Sequence, residues 1–463
     1  MRCMKPLVVL DIVGLTPALL PHTPRLAALG RAGYQAELGT VLPAVTCSAQ
    51  ATMLTGRPPR DHGIVGNGWY FRDLAEVWLW RQSNLLVGSE HEKLWHVGRR
   101  RFGPGFTVAK MFWWYNMHAA VDHAVTPRPI YPADGRKIPS LYAAPPALKG
   151  ELEASLGRFP LFNFWGSTAD IRSSRWIADA TRVVMERRRP TVTLCYLPHL
   201  DYDLQRFGPD SPEAVRACGE IDTVAGELAE WAITAGFTVV ALSEYGITPV
   251  ASAIDINRVL RRAGLLHVQE VDLGWELLDA GASEAFAVAD HQIAHVYVKR
   301  PEQVAEVRRL LESVAGIDTV LDREAQAAYG LDHGRSGELV AVAAADRWFT
   351  YYYWLDDAKM PDFARTVDIH RKPGYDPAEL FLDPKLSLPK LRIAATLARK
   401  MLGFRTLMKV IGTDASIVRG SHGRLPDRPA DGPVFLCSDP AGRRDRLALA
   451  DVRDTLLDLV AGP

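Results

Sequence analysis

The chain predicts a three-layer α/β/α sandwich with a mostly parallel central sheet, and three observations carry that prediction. Its most apolar runs, Leu7 to Leu10, 191–197 and Thr238 to Leu242, are continuous rather than alternating, as strands buried on both faces must be. Stretches at 23–34, 170–188 and 212–235 read as helices and alternate with those runs. The runs also end in acids: Asp11 directly, Asp201 after a proline turn, and Glu244 just past Leu242. Open α/β sheets bind ligands outside the carboxyl ends of their strands, so the three acids mark one edge as the place to look for chemistry.

At 463 residues the chain has room for two to three domains, or for one with a sizeable insertion. Its 54 basic and 54 acidic side chains balance, which excludes a protein that coats nucleic acid. No window approaches the about 18 apolar residues of a membrane span, and the first apolar run is too short for a signal sequence. The expectation is a soluble, cytoplasmic protein without a membrane span. Five cysteines, at 3, 47, 195, 218 and 437, are an odd number without CxxC pairing, and read as buried or free thiols.

In chain order, the first strand and Asp11 lead through the helix at 23–34 to a second strand at 38–42. Residues 41–56 follow as a short apolar segment, a proline turn and a helix that opens with Thr46 and Ser48 and stops at Gly56. Thr46 has two readings, a helix N-cap or a nucleophile held at the positive end of the helix dipole. Cys47 beside it lacks a Cys-His signature. The glycine-punctuated loop Asp61 to Tyr70 comes next.

From about 75 to 180 the composition turns aromatic and proline-rich, with Phe112-Trp113-Trp114-Tyr115 at its centre. Neither the helix nor the strand period is kept there, so residues 76–180 read as a cap inserted into a core of 1–75 and 181–463. Trp69, Trp113, Trp114 and Tyr115 are its candidate substrate-stacking residues.

Beyond 181 the regular order resumes. The run Ala285 to Val298 reads as one strand with His291 and His295 on the same face, 302–345 as a βα-type unit, and Trp348 to Trp354 as an aromatic strand. A basic helix at 389–402 and the loop Val418 to Arg424 close the series. His199 and Asp203 read as solvated loop positions, and Asp332-His333-Gly334 as a turn before a strand at 337–344.

Three carboxylates and a glycine-flanked His422 converging on one sheet edge repel one another unless a cation is present, which points to a metal site. In order and spacing these residues resemble the alkaline phosphatase superfamily, nearest its nucleotide pyrophosphatase/phosphodiesterase branch. The resemblance rests on Asp11, Pro43, Thr46, Thr55-Gly56, His62-Gly63-Ile64 with Asn67, and on His422-Gly423 leading into Pro433 to Leu436. It implies a phosphodiester or nucleotide pyrophosphate hydrolase working through a covalent phosphothreonine at Thr46. Two divalent ions are implied with it, zinc by resemblance. Asp11, Glu244 and Thr46 would hold one ion, Asp201 and His422 the other, and Asn67 with the Thr46 amide would steady the phosphoryl oxygens.

Two departures weaken the match. Where the family has Asp-x-x-x-His, this chain has Asp201 to Gln205, and where it has Ser-Asp-His-Gly, this chain has Ser243-Glu244-Tyr245-Gly246. Gln205 and Tyr245 thus stand at ligand positions that lose an imidazole. Either magnesium or manganese replaces zinc, or His291 and His370 fill in, or the site is degenerate. Arg371 and Lys372 are alternative phosphate binders. Two rival functions follow: a phosphomonoesterase or phosphotransferase acting on a lipid-like alcohol phosphate, and a metal-deficient binding protein.

Overall fold

A computed structural model of the chain describes residues 4–133 and 136–462. From the N-terminus come β1 (Leu7–Ile12), β2 (Tyr34–Leu38), β3 (Val108–Met111), β4 (His123–Pro127), β5 (Leu141–Ala144), β6 (Val192–Leu197) and β7 (Thr238–Leu242). A smaller sheet follows, built from β8 (Ala285–Asp290), β9 (Ile293–Val298), β10 (Ile317–Leu321) and β11 (Leu339–Ala343), before β12 (Val434–Cys437) and β13 (Arg446–Leu447) return to the first. The large sheet runs β13-β2-β12-β7-β1-β6-β3-β4-β5. Its five central strands, β7 to β4 in that order, are parallel, while β12 and β5 run antiparallel to their neighbours.

The helices that concern the site are α1 (Pro24–Ala32), α2 (Thr46–Thr55), α3 (Leu94–Phe102), α4 (Ile171–Arg188), α5 (His199–Phe207), α6 (Pro212–Thr234), α7 (Val304–Glu312), α8 (Pro389–Met401) and α9 (Val452–Ala461). Alternate residues of β1 enter opposite cores. Val8, Leu10 and Ile12 pack with α1, α4 and α6, whereas Leu7 and Val9 pack with α2, α3 and α9. By the same period Asp11 faces the α2 side. Asp11 pairs in register with Tyr196 of β6 and Leu242 of β7, so the chain leaves all three strands at one level.

Residues 76–180 are not the separate cap that their composition suggested. They supply α3, β3, β4 and β5 and the start of α4, and their aromatics Trp95, Phe112 and Trp113 are buried against the large sheet. Strands of four or five residues broken by Gly and Pro carry no readable period, so the segment looked irregular. The excursion from the sheet lies between β7 and β12, where the antiparallel order β8-β9-β11-β10 forms a second core around Phe286, Val296 and Ala341. Ile293 and Val340 of that unit pack on Cys47 and Ala51 of α2, docking it over the site edge.

Other differences are local. The second strand spans Tyr34–Leu38, not 38–42. The single strand expected over 285–298 is a hairpin turning at His291 and Gln292, with His291 at φ 61. Of Trp348 to Trp354 only the first two residues are paired, in Arg347–Phe349. His199 and Asp203 lie on α5, buried, with Glu220 and Arg206 as partners. The four described cysteines are buried and free, and Cys3 lies outside the described residues.

Candidate active site

Helix α2 begins at Thr46, and its N-cap, Val45, offers no side-chain hydrogen bond. The Thr46 hydroxyl is therefore not a cap. It is buried and hydrogen-bonded to the Tyr245 hydroxyl at 2.9 Å. One turn on, Gln50 lies on the same face of α2 and bridges two acids. Its Nε2 donates to Asp11 Oδ2 at 3.1 Å and to Glu244 Oε1 at 2.6 Å, while its Oε1 accepts the Trp114 amide at 2.7 Å. The third acid, Asp201, sits in the first turn of α5, so Gln205 follows at i+4 and donates to Asp201 Oδ2 at 2.8 Å.

Above these groups four rings form a column. Tyr245 stacks on His422 at 3.7 Å between centroids, His422 on His291 at 3.7 Å, and His291 on Tyr375 at 3.7 Å. The Tyr375 hydroxyl donates to Gln205 Oε1 at 2.8 Å, tying the top of the column back to α5. His422 Nδ1 donates to the Ala44 carbonyl and His291 Nδ1 to Asp290, each at 2.8 Å, which leaves both Nε2 atoms as the lone-pair nitrogens. Gly423 lets His422 lie this close to the hairpin turn. At φ 122 its backbone suits glycine, and a Cβ there would stand 3.0 Å from the Gln292 amide nitrogen.

Asn67 is held from three sides. Its side-chain oxygen accepts the Cys47 amide at 3.0 Å, and its Nδ2 and backbone N–H donate to Asp290 at 3.0 and 2.8 Å. One carboxylate, Asp290, thus fixes both Asn67 and His291.

Burial is the first cause of every shifted ionisation here. It drives the Asp11 pKa well up, with the Glu244 charge adding to it. Glu244 is pushed up to about 7 by burial against the opposing hydrogen bonds from its neighbours, and Asp201 to about 7 by burial and then the Glu244 charge. Burial also holds the Tyr245 phenol neutral and keeps His291 and His422 unprotonated.

The structure brings Asp11, Thr46, Asn67, Asp201, Gln205, Glu244, Tyr245, His291 and His422 together. His370 is not with them; it lies exposed near Leu79 and Arg81. Of the four aromatics singled out in the sequence, Trp114 alone reaches the site, through its amide on Gln50. Trp69 is buried against Phe71 under Arg335, Trp113 belongs to the α2 core, and the Tyr115 side chain meets Cys47. The half-buried aromatics at the site are instead Trp80, on Trp114 at 4.7 Å and Tyr375 at 6.2 Å, and Trp165, on Tyr375 at 5.8 Å. Gln50 was legible as i+4 from Thr46; Tyr375 and Trp80 had no such signal, because unrelated loops deliver them.

The ions that the sequence resemblance implies can be tested against these donors. Asp11 Oδ1, Glu244 Oε2, Asp201 Oδ1 and His291 Nε2 are buried without a hydrogen-bond partner. Three acids and an imidazole left in that state fit a divalent cation. Gln205 and Tyr245 do not fit as ligands, since Gln205 is engaged by Asp201 and Tyr375 and Tyr245 is an un-ionised phenol bonded to Thr46. As arranged, no three His, Cys, Asp or Glu side chains among the described residues stand close enough to hold an ion.

Comparison with known proteins identifies the family and the fold. The family model described as Type I phosphodiesterase / nucleotide pyrophosphatase matches residues 7–376. A phosphonoacetate hydrolase from Sinorhizobium meliloti 1021, solved with phosphonoformate, superposes with TM-score 0.63 at 15% identity, covering 100% of this chain and 97% of that one. Murine ectonucleotide pyrophosphatase / phosphodiesterase 5, solved as an inactive variant with AMP, gives 0.59 at 15% identity over 99% and 96%. At such identities the likeness is one of fold. An uncharacterized pyrophosphatase/phosphodiesterase of Schizosaccharomyces pombe is 37% identical over 90 residues, 19% of this chain and 18% of its own length. The chain therefore belongs to the Type I phosphodiesterase / nucleotide pyrophosphatase family of the alkaline phosphatase superfamily, a family of phosphoric ester hydrolases that in general depend on divalent metal ions.

Proposed function

We propose that the chain hydrolyses phosphodiesters or nucleotide-like pyrophosphates by way of a covalent phosphothreonine at Thr46. The observation that carries the reading is the Thr46 hydroxyl itself, freed from capping, buried at the positive end of α2 and beside Glu244. Its oxygen attacks phosphorus in line with the leaving oxygen. The hydroxyl proton passes to Glu244, which neighbours Thr46 and ionises near neutrality. The P–O bond to the leaving group breaks as that oxygen takes the proton from Glu244. Water then gives a proton to Glu244 and attacks phosphorus, the P–Oγ bond breaks, and Oγ takes that proton back to regenerate the hydroxyl. Asn67, pinned by Asp290 and Cys47, and the first-turn amide of Thr46 orient the phosphoryl oxygens.

To hold a divalent ion, Asp11 and Glu244 with Thr46, or Asp201 with His422 and His291, would have to close together from where they stand, and the ion would then lower the hydroxyl pKa and offset phosphoryl charge. Oxygen donors dominate that set, which favours magnesium or manganese over zinc. Trp80, Trp114 and Trp165 supply flat apolar surface for a base or other planar leaving group.

One feature favours a second reading, a binding protein for phosphate esters: the Tyr245-His422-His291-Tyr375 column runs from the Thr46 hydroxyl to Gln205 and occupies positions where imidazole ligands were expected. Turnover of a mononucleotide p-nitrophenyl ester with magnesium, manganese or zinc, followed by acid quench and mass spectrometry of the Thr46 peptide, separates the two. A phosphorylated Thr46 peptide and metal-dependent turnover support the hydrolase. Ester binding without turnover under any ion supports the binding protein.

A further inference from the structure

The structure assigns a second role to the excursion between Asp383 and Asp414: we propose that α8 and its flanks dock the protein on an anionic phospholipid surface. The excursion is pinned at its base. Asp383 N donates to the Val410 carbonyl at 2.8 Å, Arg365 pairs with Asp383 at 2.7 Å, and Val410 and Ile411 are buried. Between those points α8 has no buried residue.

Its amphipathic order is inverted with respect to the protein body. Pro389, Ile393, Thr396 and Lys400, spaced i, i+4, i+7 and i+11, are its partly covered residues and mark the face turned inward. The apolar face points out. Leu391, Leu397, Met401 and Leu402 expose 63%, 49%, 88% and 76% of their surface, and Phe404 follows at 62%. Scattered exposed leucines need no explanation, but a contiguous row along one helix face marks an interaction surface.

Charge decides the occupant. Seven Lys or Arg and no Asp or Glu lie between Asp383 and Asp414, in a chain whose overall charge is zero. Arg392 and Arg399 run along one flank of the apolar row, and Lys390 stands at its N-terminal end. A second copy on a two-fold axis would set this basic strip against itself, which like-charge repulsion opposes. An anionic bilayer answers both parts, accepting the apolar row at the acyl boundary and the flanks at the headgroups. At 13 residues, about 20 Å long, α8 is too short to span a bilayer and would lie in its plane. Arg405 donates to the Ala133 carbonyl, placing the excursion beside the β4–β5 connection, where Ile130 and Tyr131 expose 52% and 58% and extend the apolar surface.

The test is flotation of the full chain with vesicles of phosphatidylcholine alone and of phosphatidylcholine with phosphatidylglycerol. The expected result is binding to the anionic vesicles only, weakened by salt. Lys390→Glu with Arg392→Glu and Arg399→Glu should cut vesicle partition by at least about a hundredfold. Leu391→Asp with Met401→Asp should abolish it, and both variants should melt like the parent, because the replaced side chains face solvent. Absence of flotation with anionic vesicles at low salt would overturn the proposal, as would flotation that survives both variants. A concentration-dependent dimer in vesicle-free solution, lost in the Leu391→Asp variant, would give the face to a second copy instead.

Discussion

Among the described residues, the buried carboxylates Asp376 and Glu379 contrast with the buried carboxylates Asp11 and Glu244 in how their charge is met. Asp376 and Glu379 both accept from Lys372 Nζ at 2.7 Å, with all three side chains 2% exposed or less. Glu379 also accepts the Trp165 indole N–H at 2.6 Å and the Asp368 amide at 2.9 Å. Burial alone would lower the Lys372 pKa, but Asp376 and Glu379 together raise it, so the lysine keeps its charge. Asp11 and Glu244 are as deeply buried, yet the group between them is the neutral Gln50 amide. Among the described residues no Lys or Arg side chain is paired with Asp11, Asp201 or Glu244, and each of these acids keeps an oxygen without a partner. The first cluster is a finished structural unit. The second lacks positive charge, and a cation or an electropositive phosphorus centre is what completes it.

Thr46→Ala breaks the comparison at its strongest point. The site should lose activity by about a thousandfold or more, while stability falls by only ~1 kcal/mol, the worth of the hydrogen bond to Tyr245. Steady-state turnover and urea unfolding of the same preparation check both halves. Full turnover would remove Thr46 as nucleophile.

Lys372→Met attacks the finished cluster. It strands two buried acids and should destabilise the fold by about 3–5 kcal/mol. Glu244→Gln at the other cluster should do the reverse, raising the stability of metal-free protein by ~1–2 kcal/mol through relief of carboxylate repulsion, with loss of turnover. Chemical denaturation in chelator measures the pair. Equal signs for the two variants would erase the distinction drawn between the clusters.

Gln205→His with Tyr245→His restores the two imidazoles that the family pattern carries. Zinc affinity should rise by about 10- to 100-fold, read by competition with a chromogenic chelator, whereas magnesium affinity should not rise with it. An unchanged zinc affinity would show that the ring column, rather than the missing nitrogens, limits metal entry.

The remaining test lies outside both clusters. His62 and His295 are buried neutral, their pKa values pushed by burial to about 3 and about 4. Unfolded, each ionises near 6.5, so below that pH the unfolded chain takes up protons the folded one refuses. Their contribution to stability is full above 6.5 and is lost as pH falls toward 4 and then 3. Midpoints of urea unfolding across that range should decline with the site ligands held constant, and more slowly in His62→Gln.

What the sequence determined by itself was everything written in short-range pattern. Continuous apolar strands ending in Asp11 and Glu244 and the Thr46 helix stopped by Gly56 follow from periods of two and 3.6 and from local turn chemistry, which need no partner, while Asn67 and His422 were legible through their resemblance to family motifs. The same patterns erred where the signal was short or mixed. The aromatic stretch at 76–180 hid three strands of the central sheet, and the run 285–298 concealed a turn at His291, because Asp290-His291-Gln292 carries no Gly or Pro to mark it. Only the tertiary structure decided that Gln50 stands between two acids, that Asp290 holds both Asn67 and His291, and that Tyr375 and Trp80 close over the site while His370 does not. Each of those contacts joins segments whose separation in the chain carries no period, and is fixed by how the second sheet docks on α2 through Ile293 and Val340.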